Sequence, residues 1–288
     1  MIHDFFVSLF SWYSIFPAAA LCYAPMKNQL RLKHKPLIIR TLVLLTLAVT
    51  AMAFFEVFFS LDYNEVLPFL ALVAYIYYHH CLTIPLYKSL STFILAAAFM
   101  SFYCNTANGF DAWLHPTSTL NDFSLQAAVF QAVFSTIMVL LMLYPAGKYG
   151  SRLIDSFDLP RVYYASMPVW GIFLSFNLLI SPRKYETLHV NLMQLAYWGS
   201  LTLFFALLCL LCVWFYYIVS GMMESAETQE RNRIFEMQES TYNAQQHYMN
   251  ETAKVRHDFK HTIATLDTLV SAGNLAAVRT YLDDYLAM

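Results

Sequence analysis

Residues 1–220 are a succession of apolar runs, most of them near the ~20 residues that one helix needs to cross a hydrocarbon core. Lipid offers no partner to backbone N–H and C=O groups, so runs of this length must be helices that satisfy their own backbone. Seven spans are expected, at about Phe5–Ala24, Leu37–Ser60, Leu67–Leu86, Leu90–Ala107, Ser124–Tyr144, Tyr163–Ile180 and Leu192–Ser220. The charge content agrees: 12% of residues are charged, against about 25% in soluble domains. The fold class is therefore all-α, built on a polytopic membrane helix bundle. Pro17 lies inside the first span and Pro25 just beyond it, so a kink is expected there. Met1–Asp4 lacks the positive n-region of a cleavable signal peptide, and none is expected.

Basic residues in the short connections set the orientation. One side carries Lys27, Arg31, Lys33, Lys35, Arg40, Lys88, Lys148, Arg152 and Arg161; the other carries only Arg183 and Lys184. Nine against two makes the first side cytoplasmic. With seven spans, the N-terminus is outside and the C-terminus inside a plasma membrane crossed several times. The outer connections are short except Asn108–Phe123, so no folded extracellular domain fits between spans. In that loop Phe110, Trp113 and Leu114 are either interfacial anchors or contacts for an amphipathic ligand.

Polar groups inside apolar runs are costly and mark candidate sites. Glu56 either snorkels from the outer end of the second span or serves a ligand. His79 and His80 are adjacent, so their side chains diverge by about 100° on a helix. That geometry is poor for one metal ion, and no metal site is expected; polar packing and ligand or proton sensing remain as readings. Cys209 and Cys212 form a C-x-x-C inside an apolar run and read as packed or lipid-facing thiols, not as a redox pair.

Composition changes abruptly after Ser220. Residues 1–220 form the membrane domain, 221–254 a polar proline-free helix continuing out of the last span, and 255–288 a terminal helical segment. A 3–4 pattern runs through Ile234, Gln238, Thr241, Gln245, Tyr248, Thr252, Val255, Phe259, Thr262, Leu266 and Leu269. It is either a weak coiled-coil seam able to shift between two packings or a solvated linker. On this register Phe259 is an a position and His257 falls at f, the most exposed one. Ser271-Ala272-Gly273-Asn274 breaks the helix, with Gly273 at C′. Leu275–Leu286 reads as a second helix with Leu275, Val278, Leu282, Tyr285 and Leu286 on one face. Helix, turn and helix make a hairpin, and two copies would bury their apolar faces in a four-helix bundle, so a homodimer is expected.

Three short segments carry a resemblance: Arg256-His257-Asp258-Phe259, Ala272-Gly273-Asn274 and Tyr281-Leu282. Together they resemble the dimerisation and phosphoacceptor hairpin of GHKL-type sensor histidine kinases, especially multi-span members of the peptide-pheromone-receptor group. The resemblance covers about 35 residues, and upstream only the layout is similar. It implies that His257 is phosphorylated in a two-component phosphorelay and passes its phosphoryl group to a response regulator. Asp258 then orients the imidazole and assists proton removal, and Arg256 and Lys260 face phosphate oxygens. His261 stands one turn later, where the family often has Thr or Asn linked to phosphatase activity. The family's ATP-binding domain needs Asp-x-Gly-x-Gly, and no G-x-G occurs among the seven glycines. No cofactor is therefore expected within these residues, and ATP and Mg would be held by a kinase domain beyond Met288 in cis or by another chain in trans.

Two other classes remain open. A non-catalytic membrane receptor or scaffold would use the tail only to dimerise. A transporter is a further alternative, although no repeat between halves or pair of broken helices is evident. Expected partners are thus a second copy, a response regulator, the kinase domain and membrane lipid. Nucleic acid is excluded, because the tail from Gly221 holds 6 basic against 10 acidic residues and no basic stripe.

Overall fold

The computed structural model describes residues 2–59, 63–119, 123–273 and 275–286. Among these the chain is helical throughout, with two isolated bridges in place of a sheet. The helices are α1 (Ile2–Trp12), α2 (Ile15–Tyr23), α3 (His34–Phe59), α4 (Tyr63–His80), α5 (Leu86–Leu114), α6 (Leu125–Pro145), α7 (Ser151–Ser156), α8 (Pro160–Ile180), α9 (Met193–Ser271) and α10 (Leu275–Leu286). Two compact units result, Met1–Met223 and Glu224–Met288.

Six described stretches are long and apolar enough to cross a membrane: His3–Met26, His34–Phe59, Leu86–Leu114, Leu125–Ser156, Pro160–Ile180 and Met193–Ser271. The remaining expected span corresponds to α4. It stops at His80, short of Leu86, because residues 81–83 turn to pair with residues 29–31. The first expected span is two helices. The break at Tyr13–Ser14 follows from Pro17, whose ring removes the bond to the carbonyl four residues earlier, that of Tyr13.

The connections of the first unit gather at two ends. At one, which we call the basic end, Leu30 bridges Leu82, Arg31 N–H donates to the Cys81 carbonyl, and Thr83 N–H donates to the Gln29 carbonyl. Asn28 and Gln29 both donate to Asp155, at 2.6 and 2.7 Å. Lys88, only 6% exposed, donates to the Ile154 carbonyl at 2.8 Å. At the opposite end Thr119 bridges Lys184, and Tyr185 N–H donates to the Ser118 carbonyl. Since α3 leaves the basic end at His34 and the chain is back there at Leu82, α3 and α4 together make a round trip. Their 26 and 18 residues correspond to about 39 and 27 Å.

The core centres on α5, which is buried along most of Ala96–Ala112 against α6, α8 and α9. Its polar residues face polar partners on α8: Ser91 meets Ser166 at 2.9 Å, and the Asn105 amide donates to the Asn177 carbonyl at 2.6 Å. Tyr197 of α9 donates to the Asn105 carbonyl at 2.7 Å. Gly109 makes this crossing possible, because a Cβ there would lie 2.7 Å from Tyr197 Cε1. By contrast α3 buries only the stripe Leu37, Thr41, Val49 and Ala53 and exposes Ile38, Ile39, Leu42, Val43, Leu47 and Phe58. Apolar exposure on that scale requires an apolar surrounding.

Helix α5 runs seven residues beyond the expected end at Ala107, into what reads from sequence as a loop. The extra turns persist because Gly109, Asp111 and Ala112 are buried there. In the second unit α9 is unbroken to Ser271, and Gly273 adopts the expected positive φ of 72° between α9 and α10. Asn274 and the side chains of Tyr285 and Leu286 lie outside the described residues, as do Ser60 and Leu61.

Candidate functional site

Arg256, His257, Asp258, Lys260 and His261 all lie on α9 and are all exposed. The His257 side chain is 81% exposed, and its Nδ1 lies 3.5 Å from Asp258 Oδ1. That separation is at the outer limit of a hydrogen bond, so Asp258 is positioned to draw on one ring nitrogen without locking the ring. His257 and His261 are four residues apart and share a helix face. Val255 and Phe259 are also exposed in the single chain, so exposure alone does not distinguish the f position from the a positions. Burial begins at Thr262, whose hydroxyl donates to the Asp258 carbonyl at 2.9 Å, and Leu266 and Leu269 are half-buried. On α10 the half-buried residues are Ala277, Val278 and Tyr281, whereas Leu275 and Leu282 are exposed.

The first unit carries a polar cluster that the sequence pattern does not reveal. Asp111 is fully buried. Its carboxylate accepts from Ser124 Oγ at 2.5 Å, from Ser124 N–H at 3.2 Å and from the Tyr185 hydroxyl at 3.1 Å, and lies 3.1 Å from His115 Nδ1. Four donors on one carboxylate satisfy its lone pairs, which is what a buried charge requires. His189 Nε2 bonds to the Ala112 carbonyl at 2.9 Å in the same region. The connection that follows α8 is thereby clasped to the end of α5 immediately before α9 begins. Asn191 and Leu192 then take left-handed φ values of 47° and 62° and turn the chain into α9. For leucine that conformation costs about 1–2 kcal/mol, so the clasp and the turn hold each other. The D-x-x-x-H spacing of Asp111 and His115 was the one available sequence signal.

The other candidates stand apart from one another. Glu56 accepts from Ser8 Oγ at 2.5 Å and from Trp12 Nε1 at 2.8 Å, which ties α1 to α3. His79 bonds Ser89 Oγ through Nδ1 at 2.8 Å and stacks on Tyr75, while His80 is exposed. The two histidines diverge as their adjacency requires. Trp113 is 61% exposed and lies tilted against Phe110, which stacks on Phe130. Glu56 and Trp113 lie toward the end of the bundle opposite His79 and His80. The structure does not bring these four residues together. Among the described residues no cluster of three or more His, Cys, Asp or Glu side chains could hold a metal ion. The five cysteines are free thiols, and Cys209 and Cys212 are half-buried in the packed part of α9.

No protein-family model, curated protein or solved structure matches this chain.

Proposed function

We propose that the chain is the sensor and phosphoacceptor portion of a membrane sensor histidine kinase, with His257 as the residue phosphorylated. The observation that carries this reading is an outward-facing histidine with an adjacent carboxylate, on a helix that begins among long apolar helices. Imidazole attack on the γ-phosphorus of ATP forms a P–N bond and breaks the P–O bond to ADP. Asp258 takes or steers the displaced ring proton, and Arg256 and Lys260 meet the phosphate oxygens. The phosphoryl group then moves to a carboxylate of a response regulator. ATP and Mg belong to a kinase domain that follows this segment or acts from another chain.

The basic end is the cytoplasmic end in this reading. Its nine basic residues against two at the other end support that. The round trip of α3 and α4 supports counting α4 as a span; with seven spans the proposed topology has its termini on opposite sides. The uncovered apolar positions Val255, Phe259, Ile263 and Leu275 support a second copy as partner. The test is phosphohistidine labelling with a histidine-kinase ATP-binding domain supplied in trans. Acid-labile, base-stable label on the wild type and none on His257→Gln is the expected result. Equal labelling of both would remove the assignment. No labelling of either would favour a non-catalytic receptor or scaffold that only dimerises.

A further inference from the structure

The basic end of the bundle holds more positive charge than its own packing uses. The turn Ala24–Met26 is seated directly on the turn Ala146–Gly150, so closely that a Cβ at Gly150 would lie 2.9 Å from Pro25 Cβ. That contact sets Lys27 beside the turn that carries Lys148 and precedes Arg152. The segment 28–31 is held by the backbone pairing of 29–31 to 81–83 and by the side-chain amides of Asn28 and Gln29 on Asp155, so the base of this rim is fixed. Its two carboxylates are already engaged: Asp155 by Asn28 and Gln29, Asp158 by Tyr87 and Lys88. Among the described residues, Lys88 alone of the nine basic residues has a carboxylate within ion-pair distance. Lys27, Lys33, Lys35, Lys148, Arg152 and Arg161 are exposed, and among the described residues none of them has a carboxylate within ion-pair distance.

The rim also borders surface that is apolar outward. Lys148 lies over the exposed rings of Tyr144 and Tyr149, with its Nζ 5.6 and 5.4 Å from their centroids. Tyrosine beside lysine at the end of a long apolar helix is the arrangement of a membrane–water interface. An anion that meets these cations must therefore sit at the edge of the hydrocarbon.

We propose that this rim is a docking surface for anionic phospholipid, with Lys27, Lys148 and Arg152 seating the phosphodiester headgroup. Charge complementarity selects the partner. An aqueous polyanion would have no use for the bordering tyrosines and apolar helix ends, whereas a lipid meets both. The proposal rests on the membrane reading of the bundle and is independent of phosphorylation at His257.

The test uses the whole chain in a neutral detergent with equimolar phosphatidylglycerol and phosphatidylcholine, read by native mass spectrometry. Wild type is expected to retain phosphatidylglycerol preferentially. The triple variant Lys27→Gln, Lys148→Gln, Arg152→Gln is expected to lose preference by about five-fold per neutralised cation. Arg183→Gln with Lys184→Gln, at the opposite end, is expected to keep it. Each variant's melting temperature in the same detergent guards against a fold defect. If the triple variant melts early, the single variants Lys27→Gln, Lys148→Gln and Arg152→Gln take its place, each expected to lose about five-fold of the preference. Equal retention of the two lipids by wild type, or undiminished preference in the rim variants, overturns the proposal. Displacement of the lipid by millimolar inorganic phosphate overturns it as well, because the rim would then be a small-anion site.

Discussion

The Tyr185 hydroxyl donates to the Asp111 carboxylate at 3.1 Å across 74 residues of sequence, and both side chains are fully buried. This bond joins the end of α5 to the connection between α8 and α9. Ser124 and His115 complete the carboxylate's partners, so one charge fixes three chain segments. Hydrogen bonds to charged groups contribute about 1.5–3 kcal/mol each.

Tyr185→Phe is therefore expected to destabilise the bundle by an amount in that range, and Asp111→Ala by more, since it strands four donors at once. The double variant should fall short of the sum by about 0.5–3 kcal/mol. Thermal unfolding in a neutral detergent measures each. Strict additivity would mean that the two residues act separately. Proteolysis between 181 and 192 should also accelerate in either single variant, since the clasp restrains that connection.

Gly109 tests the α5–α9 crossing. A methyl group there meets Tyr197 at 2.7 Å, and overpacking of this kind costs about 1–3 kcal/mol. Gly109→Ala is expected to lower the melting temperature, and to cost less in a Tyr197→Ala background, where the space is already open. An unchanged melting temperature in Gly109→Ala would show that the crossing is loose.

Asp158 sets a pH dependence at the basic end. The Tyr87 hydroxyl, and after it the Lys88 ammonium, hold the Asp158 carboxyl below the usual carboxylate range. A folded value below the unfolded one means stability that is complete above the unfolded value and lost as pH falls through the folded one. Asp158 is exposed, so the effect is small. Melting temperature followed from neutral pH downward should show a decline below about pH 4 that is shallower in Asp158→Asn. Identical profiles would assign the acid sensitivity to other groups.

His257 is 81% exposed and makes only the long contact to Asp258. His257→Gln is thus expected to shift stability by no more than about 0.5 kcal/mol, while it abolishes phosphohistidine labelling. Asp258→Asn should retain some labelling at a reduced rate with an altered pH profile, because it leaves the nucleophile in place and removes the proton acceptor. A variant at either position that unfolds would contradict the exposed placement.

The helices were legible because their determinants are local. Each apolar run carries its own reason to be helical, Pro17 marks its own break at Tyr13–Ser14, and Gly273 marks its own turn by a backbone conformation that glycine adopts freely. The f register of His257 follows from spacing on a helix, but the single chain exposes the a positions Val255 and Phe259 as well. The end of α5 was not legible. Asn108–Leu114 looks like loop because Asn108, Gly109 and Asp111 interrupt the apolar run, and it is helical because Asp111 finds Ser124 and Tyr185, 13 and 74 residues away.

What the sequence determined by itself is therefore the class: apolar helices, a basic and a non-basic set of connections, and a polar helix bearing His257. What only the tertiary structure decided is which polar groups meet. Glu56 reads from sequence as an isolated acid and is bound by Ser8 and Trp12 from α1. Asp111 passes unnoticed and holds the connection into α9. The cations of the basic end look like a scattered count until Gly150 packs against Pro25 and draws them onto one rim. The physical reason is common to all three. Backbone hydrogen bonds in a helix close within a few residues, whereas a buried or uncompensated charge is answered by whatever distant segment the packing brings to it.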